Sequence, residues 1–293
     1  MRFPSGLYRH VAACNTVAPG PWPPLVVDGR AAAWPSAAAR AEMARLADDF
    51  ADRGDHWTFA PGRDDFAARS AALERLCARL RAAGAIRAPR GETYAVVGEW
   101  GEAALAALDR GAAEAIGIRA FGVHLNGYVR RADGLHMWIS RRARDKEVAP
   151  GKLDNMVAGG QPAGLGLLDN LVKECGEEAS LPPALAHRAT PVGLVRYCFS
   201  GARGLKPDTL FCYDLEVPDD VVPTPSDGES EGFELWHVER VLDTLAEGWA
   251  FKFNVPLVIL DFALRHGVLT PENAAEYTAV ASGLRRDFPR FGA

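Results

Sequence analysis

Three glutamates, Glu174, Glu177 and Glu178, stand three and four residues apart near the end of a stretch that reads GGQPAGLGLLDNLVKECGEEASL from Gly159. On a helix these spacings bring side chains to a common face. Gathered carboxylates repel one another unless a cation joins them. Hard divalent ions such as magnesium take oxygen ligands and keep several waters. The Gly-rich loop ahead of the helix permits close backbone approach, and a helix N-terminus offers amides to bound anions. The chemistry suited to this arrangement is a metal cluster holding a diphosphate. The same residues also fit a solvated acidic face on which Lys173 pairs Glu177 one turn away.

The elements that must position these residues follow from periodicity. Apolar positions Leu168, Leu171, Val172, Cys175 and Ala179 share a second face of a helix over 166–179. Before it, Val123, Leu125, Gly127 and Val129 alternate with His124, Asn126, Tyr128 and Arg130, as in a strand. Ala132-Asp133-Gly134 makes a hairpin turn and His136 to Ser140 the return strand. Asp154–Ala158, Pro191–Phe199 and Thr209–Val217 read as further strands, 218–232 as an acidic loop, and Val238–Leu245 and Val255–His266 as helices. Upstream, residues 1–35 read as irregular, 36–53 and 64–83 as helices with Gly84 ending the second, Tyr94–Trp100 as a strand and Glu102–Ala115 as a helix. The texture changes near Gly117. The expected organisation is α/β, with a smaller α+β domain over 1–116 and a second domain over 117–293.

The stretch from Gly159 resembles the Nudix signature, G-x5-E-x7-R-E-U-x-E-E-x-G-U with U aliphatic. Gly159 matches the opening glycine, Glu174, Glu177 and Glu178 the glutamates, and Cys175 and Leu181 the apolar positions. Leu165, Lys173 and Ser180 depart from it, standing for a glutamate, the arginine and the late glycine. Lysine keeps the charge of arginine but lacks its bidentate fork. The runs YVRR, WISRR, PGKLDNMVAGGQPAG, EEASLP and FKFNVPLVILDF are similar to the Nudix subfamily that is fused in some fungi to thiamin pyrophosphokinase. This resemblance implies an α/β/α sandwich with a mixed sheet. It also implies hydrolysis of a thiamin-diphosphate-like substrate to the monophosphate, with oxo- and oxythiamin diphosphate preferred. The alternatives are a Nudix hydrolase for nucleoside diphosphate derivatives and a degenerate module that binds without cleaving.

On this reading Glu174, Glu177 and Glu178 ligate Mg2+, or Mn2+ in its place, and Glu174 and Glu178 serve catalysis. The general base is sought in DGESEGFELW, where Glu231 is favoured over Glu229 and Glu234. Arg141 and Arg142 of WISRR, Lys152, Gly159, Gly160 and Lys173 are the candidates for holding the substrate's phosphates, since planar guanidinium forks suit them. Successive strand residues face opposite ways, so at most one arginine of the pair points at a given site. Trp236, with Trp138 and Trp249, is a candidate to stack on the organic ring. His124 and His136 read as structural.

Composition bounds the rest. The 293 residues carry a formal net charge of -5, are 48% hydrophobic and 24% charged. A mildly acidic chain without a basic run argues against nucleic acid as a partner. No apolar run approaches the ~20 residues of a membrane span. Five scattered cysteines show no zinc spacing and read as reduced thiols in a cytoplasmic protein. The expected partner is a small diphosphate. The N-terminal region is expected either to wall the substrate pocket or to serve structure or dimerisation, a homodimer being the candidate assembly.

Overall fold

The computed structural model describes residues 3, 5–89 and 91–288. The chain opens with helix α1 (Tyr8–Ala13), followed by strands β1 (Leu25–Val27) and β2 (Arg30–Ala33), helix α2 (Ala37–Ala44), strands β3 (Phe50–Asp52) and β4 (Trp57–Phe59), and helix α3 (Phe66–Ala82). Asp65 caps α3 by accepting from the Ala68 amide. Strands β5 (Thr93–Val96) and β6 (Ala106–Asp109) form a separate antiparallel ribbon, and helix α4 (Ala113–Ile116) closes the region. Strands β1–β4 pair in the order β2-β1-β4-β3. Buried Leu25, Met43, Leu73, Leu76, Leu80 and Leu108 make a core of their own between these strands and helices. Gly117 then takes φ +71 and passes so close to the Trp34 carbonyl that any Cβ would overlap it. Only glycine accepts both conditions readily.

Ten further elements follow: β7 (Ala120–Arg131), β8 (Gly134–Arg142), β9 (Leu153–Asp154), β10 (Val157–Gly160), α5 (Leu167–Ala179), α6 (Pro183–Ala186), β11 (Thr190–Ser200), β12 (Leu205–Glu216), β13 (Ser230–His237) and α7 (Val238–Glu247). Helices α8 (Val255–Arg265) and α9 (Tyr277–Gly283) end the described chain. The main sheet runs β11-β12-β7-β8-β13, with β10 added to β7 and β9 to β8. The β12–β7 pair is parallel and the others antiparallel, so the sheet is mixed. Alternation along β7 sends Val123, Leu125 and Val129 to one face, where they meet Leu171, Cys175 and Ala179 of α5. On the other face Tyr128, Ile139, Val195 and Leu210 pack with Val241 and Leu242 of α7 and Val258 and Phe262 of α8. The result is the expected α/β/α sandwich. Fully burying one such side chain contributes about 1.5–3 kcal/mol. All five cysteines are free and buried. No described helix is long and apolar enough to cross a membrane.

Several elements differ from the periodicity-based expectations. The helix expected over 36–53 stops at Ala44, because Phe50 and Asp52 pair with β4 and reverse the chain. The Ala-rich stretch 102–115 gives β6 first and a helix only near its end. Burial of Ala106 and Leu108 in the core outweighs alanine's helix propensity. Residues 1–35 contain α1, β1 and β2. Strand β13 starts inside the expected acidic loop. It is an outer strand with mixed exposure, and so carries little periodic signal. The strand expected over 154–158 divides at Asn155 and Met156 into β9 and β10, which pair with different neighbours. Leu168, assigned to the apolar face of α5, is exposed.

Candidate functional site

The phase of α5 separates the three glutamates. Glu174 is 9% exposed and lies over Gly159 of β10, where a Cβ would stand 2.7 Å from its Oε1. Glu178, one turn later and partly buried, accepts a 2.9 Å hydrogen bond from the Ala158 amide at Oε2. Consecutive residues of β10 therefore seat the two carboxylates. Glu177 is exposed and turns away to Lys173, whose Nζ lies 2.7 Å from Glu177 and 3.3 Å from Glu174. The helix ends at Ser180 in the left-handed conformation, φ +53, which explains why the signature asks for glycine there. The Ser180 hydroxyl donates to the Thr224 carbonyl at 2.9 Å.

Burial, with Asp154 and Glu174 adding repulsion, pushes the Glu178 carboxyl up to about 8, and the Ala158 amide only partly offsets this. Burial also raises Glu174, against the pull of Lys173. Among the described residues no three His, Cys, Asp or Glu side chains converge closely enough to hold a metal ion by themselves. Two crowded carboxylates of raised pKa are nonetheless what a hard divalent ion relieves. Magnesium habitually uses one or two carboxylates together with substrate phosphates and waters. Glu174 and Glu178 fit that role, and Glu177 joins them only if it leaves Lys173.

Asp154 is a third carboxylate at this end, unassigned by spacing. Burial would raise its pKa, but Lys252 and Arg142 hold it below the usual range, at 3.2 Å and 2.8 Å. Behind it a buried polar chain crosses the sheet. Asn155 Oδ1 accepts from His124 Nδ1 at 2.8 Å, and its Nδ2 donates to Asn126 at 3.0 Å. Asn126 donates to Asp214, which is clamped by Arg265 and His266. These bonds fix β7, β9 and β12 beneath the site.

The other expected site residues scatter. Arg142 is committed to Asp154 and to the Val148 carbonyl. Arg141 reaches the Gly151 carbonyl at 3.4 Å and Glu234 at 3.8 Å. Lys152 donates to the Trp249 carbonyl at 2.5 Å. Glu231 is exposed on β13 and pairs with Arg144 at 3.4 Å. Trp236 is buried in the core on the α7 side, under the Arg240 guanidinium at 3.6 Å, on the face opposite α5. Trp138 is buried and Trp249 stands exposed beside His10. Gly159, by contrast, lies against the Glu174 carboxylate, and Gly160 is the next residue of β10.

Gly160 also opens toward the N-terminal region. A Cβ there would overlap the Tyr94 hydroxyl and come within 3.3 Å of the Arg110 guanidinium carbon. Arg110 lies over the Tyr94 ring at 5.7 Å and donates to Glu92 at 2.6 Å. The Ala163 amide donates to the Thr93 carbonyl at 2.8 Å, tying the Gly-rich loop to β5. Next to this junction is a cavity of about 300 Å³, walled by Tyr94, Val97 and Trp100 from the first region and by Arg119, Phe121 and Gln161 from the second. Trp100 stands 4.9 Å from Phe121 and 4.8 Å from Phe211 and remains 40% exposed. Spacing could not reveal Tyr94, Trp100 or Arg110, which meet Gly160 only through the fold.

Comparison with known proteins agrees with this geometry. A family model described as a domain of unknown function (DUF4743) matches residues 6–120. Nudix hydrolase 24, chloroplastic, of Arabidopsis thaliana is 40% identical over 230 residues, 76% of this chain and 61% of that protein. Nudix hydrolase 20, chloroplastic, of the same plant is 44% identical over 191 residues, 65% of this chain and 51% of that protein. An uncharacterized protein of Saccharomyces cerevisiae is 30% identical over 244 residues, 77% of this chain and 70% of its own length. The chain thus spans between half and two thirds of the plant relatives. With the α/β/α sandwich and the glycine-seated carboxylates of α5, the chain is similar to these plant Nudix hydrolases over 65–76% of its length.

Proposed function

We propose that the protein hydrolyses the diphosphate of a small organic substrate, with thiamin diphosphate derivatives such as oxo- and oxythiamin diphosphate as the preferred class. The observation that carries this reading is the seating of Glu174 and Glu178 against Gly159 and Ala158, crowded and raised in pKa, at the mouth of a Gly-rich loop. The subfamily runs in the sequence support the choice of thiamin. A divalent cation held by Glu174 and Glu178 would neutralise the diphosphate oxygens and lower the pKa of a bound water.

The residues of the chain divide the remaining work. The Gly159–Gly160 backbone lets the diphosphate approach α5, and Lys173 balances the charge of the carboxylates. Water oxygen bonds to one phosphorus as the bridging P–O bond breaks, and the departing phosphate takes the bonding electrons. The water proton goes to a carboxylate. Glu231 is the acceptor proposed from sequence, and Glu178, seated on the Ala158 amide, is the second candidate. Five free, buried thiols suit a reducing compartment such as the cytoplasm.

The test follows phosphate release from thiamin diphosphate and oxothiamin diphosphate, and AMP formation from ADP-ribose, each with magnesium and with a chelator. Magnesium-dependent release, fastest on the oxidised thiamin compound, is the expected result. Cleavage of ADP-ribose alone would replace the thiamin assignment, and cleavage of none would remove hydrolysis of these diphosphates.

A further inference from the structure

The loop that follows the diphosphate site, residues 161–165, lines a cavity that the signature does not define. Gly160 stands where the two adjoin. Its neighbour Gly159 seats Glu174, while Gly160 itself faces Tyr94 and Arg110. The next residue, Gln161, is buried and helps line the cavity. Gln161 is fixed there by donating to the Leu165 carbonyl at 2.7 Å and accepting from Asn170 at 3.1 Å. Loop 161–165 is thereby held as a wall shared with β5. Tyr94 links site and cavity: it lines the cavity, meets Gly160 beside the carboxylates of α5, and lies under Arg110.

The chemistry differs from one to the other. Near Gly160 the N-terminal region offers a cation. Arg110 uses Nη1 on Glu92, and a guanidinium has further N–H groups in a planar fork that matches phosphate oxygens. The cavity beside it is lined mainly by apolar and aromatic side chains, with Arg119 and Glu102 among them. Trp100, 40% exposed, lines it beside Phe121 and Phe211. At about 300 Å³ the cavity is at the lower end of the range that takes small organic ligands.

We propose that residues 92–110 form the recognition half of the site, Arg110 binding the substrate's phosphate and Trp100 stacking on its flat heteroaromatic group. This rests on the diphosphate chemistry above and deepens it. The region matched by the domain of unknown function thereby selects which diphosphate presents itself to α5. The same arrangement explains why Gly160 cannot carry a side chain, since a Cβ would displace the Tyr94 hydroxyl that underlies Arg110.

Binding is the quantity to measure, because it does not depend on turnover. Calorimetric titration of the full chain with thiamin monophosphate, AMP and inorganic phosphate, each in the presence of magnesium, is compared across variants. Trp100→Ala is expected to weaken the ring-bearing ligand that the wild type binds by about tenfold, the scale of one aromatic stack, and to leave inorganic phosphate unchanged. Trp100→Phe restores most of that affinity. Arg110→Gln weakens every phosphate-bearing ligand, and Trp249→Ala, remote from the cavity, changes none. Unchanged affinity for the ring-bearing ligand in Trp100→Ala overturns the inference, as does a wild type that binds neither ring-bearing compound. If the wild type binds but cleaves none of the diphosphates, the hydrolytic reading fails while the recognition half stands.

Discussion

Two carboxylates on adjacent turns of α5 carry unequal burdens. Glu178 is bonded to the β10 backbone, so Glu178→Gln keeps shape while removing the carboxylate that a bound cation would need. It should leave the circular dichroism spectrum unchanged and lower kcat by about a hundredfold or more, the scale of a general base or a lost charge contact. Glu231→Gln separates the two proton acceptors. A comparable fall in kcat at steady KM supports Glu231, and an unchanged kcat assigns the proton to Glu178. Gly160→Ala addresses the junction. The added methyl overlaps the Tyr94 hydroxyl and should cost about 1–3 kcal/mol in urea denaturation. Combining it with Tyr94→Phe should recover part of that loss, a coupling that a double-mutant cycle reads directly. The carboxylates of α5 are legible in sequence because helical spacing is local. Arg110, Tyr94 and Trp100 are not, because 50 or more residues separate them from Gly160 and only the fold unites them.

At the scale of elements, β7 carries a polar side chain where a sheet centre would ordinarily be apolar. His124 is 3% exposed, and burial, with Lys252 adding repulsion, lowers its pKa to about 4. The folded state therefore keeps it neutral, while the unfolded chain takes up a proton below about 6.5. Its contribution to stability is full above pH 6.5 and is lost as pH falls toward 4, by up to ~3 kcal/mol. Denaturation midpoints measured from pH 7 to 4 should fall steeply in the wild type and less steeply in His124→Gln. An equal slope in both would remove His124 from the acid response. The long strands and α3, α5, α7 and α8 are readable because each has enough turns or alternations to declare its period. Strand β6 is hidden by alanines that favour helix in isolation, and β13 by the exposure of an outer strand. Both owe their conformation to a partner distant in sequence.

At the scale of the molecule, the first and last parts of the chain share one core. Phe3, Leu7, Val11 and Cys14 pack with residues of α8 and α9, while Leu25 to Ile118 close a core of their own. Deleting residues 1–16 should lower the denaturation free energy of the remainder by several kcal/mol, at about 1.5–3 kcal/mol for each large apolar side chain lost. Unchanged stability in that fragment would show α1 to be an ornament of the core. Synthesis runs in one direction, and this placement sets an order upon it. The 25–118 core can close while later strands are still being made, but α1, the earliest of the described helices to emerge, has no seat until α8 and α9 exist. Until then Leu7 and Val11 travel uncovered, and a pause in translation before α8 would prolong their exposure to whatever else in the cell binds apolar helices.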